Sequence, residues 1–254
     1  MEKLVIIPTY NEKENIGAIL QAVYDLQQNF HVLVIDDGSP DGTADIVRSL
    51  QAKYNSTVFL EEREGKQGLG TAYIYGFKWG VERGYNFIFE MDADFSHNPA
   101  DLPRLYDACK NDGADVAIGS RYVKGGGVKN WPANRILLSK GGSLYTRILL
   151  WMPIQDQTAG FMCYRREVLE TINLDEIRFV GYAFQIEMKF AAWKLGFTLK
   201  EVPIQFEDRR FGESKMNRGI VKEGILGVLK LRWYSFFTNY RKRVKSNLDT
   251  SVAK

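Results

Sequence analysis

The sequence predicts an α/β protein with a mostly parallel central sheet flanked by helices, a single domain carrying a C-terminal helical appendage. Three observations predict it. Short apolar runs alternate with helix-length amphipathic segments from Leu4 to Gly119. Polar clusters follow directly on several of those runs, where an open sheet presents the carboxyl ends of its strands. A chain of 254 residues, 45% hydrophobic and 26% charged, is long enough for one large core and is not compositionally disordered.

Each element has a local reason. Leu4-Val5-Ile6-Ile7 reads as the first strand, and Asn11 with Glu14 as a capping box for a helix that carries Ile16, Ile19, Leu20 and Val23 on one face. Val32 to Ile35 is the second strand, ended by "DDGSPDG", and Ile46, Val47, Leu50 and Tyr54 line the next helix. Thr57 to Leu60 is a third strand and "EEREGKQGLG" a loop. The helix after it shows Leu69, Ala72, Tyr73, Gly76, Phe77 and Gly80 on one face, with small residues for close packing on a sheet. Asn86 to Met91 is the fourth strand, followed by Asn98 as N-cap and Pro99 as first helical residue. Ala114 to Gly119 is the fifth. Regularity then fades: "YVKGGGVKNWP" reads as a glycine-rich, mobile loop before a helix from Asn134 to Leu150. A helix around Tyr182 to Leu195, a strand at Thr198 to Val202 and the cation-dense loop "EDRRFGESKMNRG" complete the main unit, taken as residues 1–223. Residues 224–254 form an apolar, aromatic helix and a basic tail.

Several functional classes are disfavoured. A net charge of +3 is too small to indicate a nucleic-acid partner. Cys109 and Cys163 lack motif spacing and suggest a reducing compartment. Met1-Glu2-Lys3 runs straight into the first strand, and no uncharged apolar run nears the roughly 18 residues of a spanning helix. The expectation is a cytoplasmic protein, in which the Asn55-Ser56-Thr57 sequon has no secretory context. "GLGTAY" has Tyr73 where a dinucleotide fingerprint needs Gly or Ala, and no Walker-type loop is present.

The chemistry points to the strand ends. "PTYNE", "DDGS", "DAD" and "GSR" follow the first, second, fourth and fifth strands and can converge on one cleft. Asp92 and Asp94 alternate, so an extended chain points both carboxylates to one side. Two such groups repel unless a cation neutralises them, and Mg²⁺ typically takes one or two carboxylates plus substrate phosphates. The alternative is a solvated loop with helix-capping acids. His97 reads as a loop residue near that metal rather than as a ligand or base.

"VIIPTYNEKENI", "VLVIDDGSPDGT", "KQGLGTAYIYGF", "MDADFSHNP", "GSRY" and "DQTAGF" resemble successive signatures of inverting family-2 glycosyltransferases with the GT-A fold. With "DRRFGESKM" they resemble the branch of dolichyl-phosphate (polyprenyl-phosphate) mannosyltransferases, in order from residue 4 to about 220. The resemblance implies an enzyme that moves mannose from GDP-mannose to a polyprenyl monophosphate with inversion, using Mg²⁺ or Mn²⁺ held by Asp92 and Asp94. It places Pro8, Tyr10, Glu12, Ile35 and Asp37 at the nucleoside. Asp92, Ala93 and Asp94 fall at the ribose, diphosphate and metal. Arg121, Arg209 and Lys215 supply cations to donor or acceptor phosphate, and Arg135 with Ser139 grips the lipid phosphate. Lys66 either steadies its loop or contacts phosphate. Asp156 stands where relatives with hydroxyl acceptors can have a base; here an orienting role is expected. Ser96 stands where some relatives have a glutamine metal contact, so a third protein ligand is not expected. Two other readings stay open: a glucosyltransferase using UDP-glucose and the same lipid class, and a non-catalytic nucleotide-sugar-binding subunit.

A lipid substrate needs membrane access. Gly224 to Leu248 contains no acid, and Trp233, Tyr234, Phe236, Phe237 and Tyr240 interleave with Lys230, Arg232, Arg241, Lys242, Arg243 and Lys245. Such a segment suits an anionic headgroup layer. Some relatives carry C-terminal spanning helices that this chain lacks. Peripheral docking on the cytoplasmic face, or a separate membrane-anchoring subunit, is therefore the expectation; the competing reading packs the segment on the globule.

Overall fold

The computed structural model describes residues 1–54, 56–181, 183–208 and 218–237. In chain order the elements are β1 (Lys3–Thr9), α1 (Ile16–Tyr24), β2 (Phe30–Asp36), α2 (Thr43–Gln51), β3 (Val58–Glu62), α3 (Leu69–Glu82), β4 (Phe87–Glu90), α4 (Leu102–Lys110) and β5 (Val116–Ser120). There follow β6 (Gly127–Val128), α5 (Ala133–Leu150), β7 (Met162–Arg165), α6 (Arg166–Thr171), α7 (Ala183–Lys194), β8 (Leu199–Pro203), β9 (Gln205–Phe206) and α8 (Arg218–Phe237).

The main sheet has the order β3-β2-β1-β4-β7-β5-β8. Alternate residues of the central strands feed two cores, one on each face. Val5, Ile7, Val32, Val34 and Phe89 pack with α1 and α4, whereas Leu4, Ile6, Leu33, Ile35 and Ile88 pack with α3 and α7. The small residues of α3 permit its close approach: a Cβ on Gly76 would lie 2.8 Å from the Ile6 side chain. Cys109 and Cys163 are buried free thiols in the first core.

The α/β expectation is borne out, and four details differ from the sequence reading. β7 was not anticipated; it lies between β4 and β5 and runs antiparallel to both. Its short apolar run lies within "DQTAGFMCYRRE" and leads directly into α6, without the turn signals that bound the anticipated strands. α1 starts at Ile16 rather than from a box at Asn11: Asn11 is left-handed with φ 58°, and the Asn15 cap makes no side-chain capping bond. Instead the Glu12 carboxylate accepts from the Asn15 side-chain amide at 3.0 Å. The glycine-rich stretch expected as a loop contributes β6, which pairs with β9. Finally, the boundary expected at 223/224 falls inside α8. Val228 and Leu231 of that helix are buried with Leu150, Met152, Ile186 and Phe190 in a third core shared by α5, α7 and α8.

Candidate active site

The carboxyl ends of β1, β2, β4 and β5 bring the predicted residues into two adjoining groups. Pro8 and Ile35 are register partners across β1 and β2. The Asp37 amide donates to the Thr9 carbonyl at 3.0 Å, and the Glu12 amide to Thr43 Oγ1 at 3.0 Å. Lys66 sits with its ammonium 5.2 Å from the Tyr10 ring centroid. Asp37 does not stand alone: Arg63 Nε donates to its Oδ1 at 2.7 Å, within a largely buried ion pair. These residues gather at the carboxyl ends of β1 and β2, beside β4.

The aspartate pair follows β4, tied to β1 by the Met91 amide donating to the Ile6 carbonyl at 3.1 Å. The turn is tightly specified. Asp94 Oδ1 accepts from the Ser96 amide at 3.0 Å, and the Asp92 amide donates to His97 Nδ1 at 3.0 Å. Between them Phe95 takes φ 63°, a strained conformation for a bulky residue that such cross-bonding sustains. Asn98 caps the following helical turn as expected, accepting from the Ala100 amide at 3.1 Å with Pro99 first in the turn. The Asp92 side chain is 40% exposed, and the Tyr73 hydroxyl donates to its Oδ1 at 3.3 Å. Burial first, then the Asp92 charge, push that hydroxyl well above its ordinary pKa, so Tyr73 stays a donor. Two hard carboxylates on a strained turn fit a hard divalent cation. No group of three or more His, Cys, Asp or Glu able to hold a metal occurs among the described residues. A cation here would complete its shell with substrate phosphate and water.

Beyond Asp92 lies a cavity of about 800 Å³. Arg121, Arg135 and Ser139 line it with Asp92, whereas the residues expected at the nucleoside lie outside it. Arg121 and Asp156 form a buried, two-pronged pair, with Nε to Oδ2 and Nη2 to Oδ1 both at 2.6 Å, and Thr158 Oγ1 accepts from Nη2 at 2.8 Å. Burial alone would raise the Asp156 pKa; the Arg121 charge and its hydrogen bonds outweigh that and hold the carboxyl below its usual range. The Arg121 turn is also shaped by Gly126, where a Cβ would lie 2.5 Å from the Ser120 carbonyl oxygen. Arg135 Nη1 donates to Asp208 at 2.9 Å and its guanidinium lies 4.0 Å from the Trp131 ring centroid. One turn on, Ser139 Oγ accepts from the Tyr122 hydroxyl at 2.7 Å. Arg209 and Lys215 lie outside the described residues.

Residues 4–172 match the model of glycosyl transferase family 2. The chain belongs to that family. A polyprenol monophosphomannose synthase of Mycolicibacterium smegmatis is 49% identical over 225 residues, 89% of this chain and 84% of the relative. An undecaprenyl-phosphate mannosyltransferase of Micrococcus luteus is 48% identical over 237 residues, 92% of this chain and 96% of the relative. The GT-A architecture is borne out by solved structures. A glucosyl-3-phosphoglycerate synthase from Mycobacterium tuberculosis, in complex with Mn²⁺, UDP and glucosyl-3-phosphoglycerate, superposes with TM-score 0.67 at 16% identity, over 91% of this chain and 79% of that one. A mannosyltransferase from Pyrobaculum calidifontis, in complex with GDP-Man and Mn²⁺, gives 0.55 at 16% identity, over 98% and 74%.

Several residues of this family-2 site escaped the sequence reading. Glu201 of β8 accepts from Ser120 Oγ at 2.7 Å, the Asp156 amide at 2.9 Å and the Gln155 amide at 2.8 Å, so it holds the Arg121 and Asp156 segments together. An acid in a short strand beside Val202 was its only signal. Under the cavity, Gln185 donates to the buried Glu90 carboxyl at 2.5 Å, and the buried Lys189 ammonium donates to the Ala159 carbonyl at 2.6 Å. Burial raises the Glu90 pKa and lowers that of Lys189, so each is pushed towards its neutral form. The sequence reading placed a helix here but singled out neither Gln185 nor Lys189, since α7 is buried nearly all round and its polar residues carry no motif.

Proposed function

We propose that the protein transfers mannose from GDP-mannose to a polyprenyl monophosphate with inversion, giving polyprenyl-phosphate mannose and GDP. One observation carries the reading. The same cavity that reaches Asp92 is walled by Arg121, Arg135 and Ser139 and continues between α5 and α8 to Leu137, Leu138 and Ile225, which are exposed apolar residues. A phosphate head can sit at the guanidinium groups while its chain leaves along apolar helices. The names of the two mannosyltransferase relatives support this acceptor class.

The acceptor phosphate has a second pKa of roughly 6 and is already largely a dianion at neutral pH, so no general base has to create the nucleophile. Asp156 is engaged by Arg121 and serves to orient that guanidinium rather than to take a proton. Arg121 and Arg135 screen the acceptor charge and direct one phosphate oxygen at the anomeric carbon, opposite the departing diphosphate. Bound by Asp92 and Asp94, Mg²⁺ or Mn²⁺ would neutralise the donor diphosphate. Pro8, Tyr10, Glu12, Ile35 and Asp37 hold the nucleoside, with Arg63 fixing Asp37, and Lys66 beside Tyr10 steadies its loop or reaches phosphate.

The membrane contact is peripheral and lies on the cytoplasmic face. No helix among the described residues is long and apolar enough to cross a membrane. Leu137, Leu144, Ile148 and Trp151 form one exposed stripe on α5, and Leu229, Trp233, Phe236 and Phe237 another on α8. Arg232 joins them, 5.1 Å from the Trp151 ring centroid and 4.5 Å from that of Phe236. Such stripes suit a lipid interface or a membrane-anchoring subunit. The deciding assay offers radiolabelled GDP-mannose, UDP-glucose and other nucleotide sugars with polyprenyl phosphate and follows label into lipid. Label from GDP-mannose alone is expected. Label from UDP-glucose instead would replace the donor, and none from any sugar would leave a binding subunit.

A further inference from the structure

We infer that His97 is a substrate-contacting hydrogen-bond donor, presenting Nε2–H to a phosphate oxygen in the cavity, with its proton fixed on that nitrogen by the main chain of Asp92. The inference rests on the function just proposed, which supplies the two phosphate-bearing ligands.

The geometry leaves this ring one orientation. His97 is only 3% exposed, yet its edge lines the cavity. Nδ1 accepts from the Asp92 amide at 3.0 Å. A ring nitrogen accepting from an amide carries no proton, so the neutral imidazole carries it on Nε2. Turning the ring over would set an N–H or C–H against the amide hydrogen. Stacking resists other rotations: the Phe161 ring lies parallel at 4.9 Å and the Phe206 ring edge-on at 5.6 Å. Among the described residues no side chain or carbonyl accepts from Nε2, and Nε2 is not one of the polar atoms sealed inside without a partner.

The neighbouring groups identify the ligand chemistry. Gly160, also in the cavity wall, keeps that edge uncovered, since a Cβ there would lie 3.8 Å from His97 Cε1. The Arg121 guanidinium lies 5.4 Å from the centroid of the same Phe206 ring that the imidazole meets. An oriented ring N–H donor and a held cation beside one aromatic ring suit an anionic oxygen. Phosphate oxygen is the shared chemistry, from either the acceptor monophosphate or the donor diphosphate.

The two ends of the imidazole can be tested apart. His97→Asn places an amide oxygen near Nδ1, preserving the Asp92 bond and losing the distal donor. His97→Gln carries an amide N–H to the Nε2 position and loses the Nδ1 acceptor. In steady-state transfer assays H97N is expected to lose about 10-fold or more in kcat/KM, the value of one charge-assisted hydrogen bond, and H97Q, which gives up the same ring stacking, controls for the change in packing. H97Q should recover most of that loss. The substrate whose KM rises in H97N identifies the oxygen's source. Independently of turnover, the Nε2–H resonance of ¹⁵N-histidine protein should shift on adding either GDP or a short, soluble polyprenyl phosphate. The chain has 2 histidines, so loss of one signal in H97N assigns it. An H97Q variant as impaired as H97N, or a resonance indifferent to both ligands, would overturn the inference. Wild-type protein that binds GDP-mannose but labels no lipid would overturn the proposed function instead, and the resonance titration would still decide His97.

Discussion

Arg121 enters its site already held. Asp156 takes two of its nitrogens and Thr158 shares one of them, so on the proposed reading the guanidinium is largely pre-organised for a phosphate. Removing Asp156 leaves a buried cation with a broken pair, which typically costs about 3–5 kcal/mol. Asp156→Ala is therefore expected to lower thermal stability markedly at pH 7. The pH dependence has a definite sign. Because the folded-state pKa of Asp156 lies below its unfolded value of about 3.9, its contribution is present above that pH and is lost as pH falls through the lower folded value. The melting difference between wild type and D156A should shrink as pH drops below about 4. Asp94→Asn tests a different function on the same edge: transfer should fall to near background while the melt is preserved, and excess EDTA should abolish wild-type activity until Mn²⁺ or Mg²⁺ is restored. Full turnover in chelator would remove the metal role. Arg135 is only partly enclosed, so Arg135→Ala should spare the fold and raise KM for polyprenyl phosphate by roughly 10- to 100-fold, with calorimetric GDP-mannose affinity unchanged.

Elements explain what was readable beforehand. The five strands with longer apolar runs and the helices between them announce themselves by period, and with them come the strand-end clusters at Asp37, Asp92 and Arg121. β7 did not, because its apolar run Met162-Cys163-Tyr164 passes through Arg165 straight into α6 with no turn residues to mark a strand end. Nor could the sequence pair Arg63 with Asp37 or gather Ser120, Gln155 and Asp156 around Glu201, since such contacts join segments far apart in the chain. α8 was expected as part of a C-terminal appendage, with packing on the globule as the competing reading, and one of its faces does complete a core. Leu231→Ala should cost about 2–5 kcal/mol, as for other buried leucines, and chemical denaturation measures it. The opposite face should respond differently. Leu144→Glu combined with Phe236→Glu changes two side chains that are 57% and 64% exposed, so liposome sedimentation should fall while the melt stays in place.

At the scale of the molecule, the proposed donor and acceptor sites occupy adjoining parts of one sheet. The strands β1, β2 and β4 would carry the nucleotide side; much of the cavity wall opposite comes from the chain between β5 and β7, with α7, β9 and α8 completing it. Those two strands are hydrogen-bonded neighbours, with Ile118 opposite Met162 and Val116 opposite Tyr164. The intervening segment, which includes α5, thus departs from and returns to a single ladder, as a handle is fixed at both ends to one plank. The handle is braced from its far side as well: β6 within it pairs with β9, and α5 shares a core with α7 and α8. On the proposed reading, an engineer seeking a different acceptor would therefore recut the stretch between Ser120 and Phe161 together with the α7 and α8 residues it leans on, as a brace is refitted with its wall.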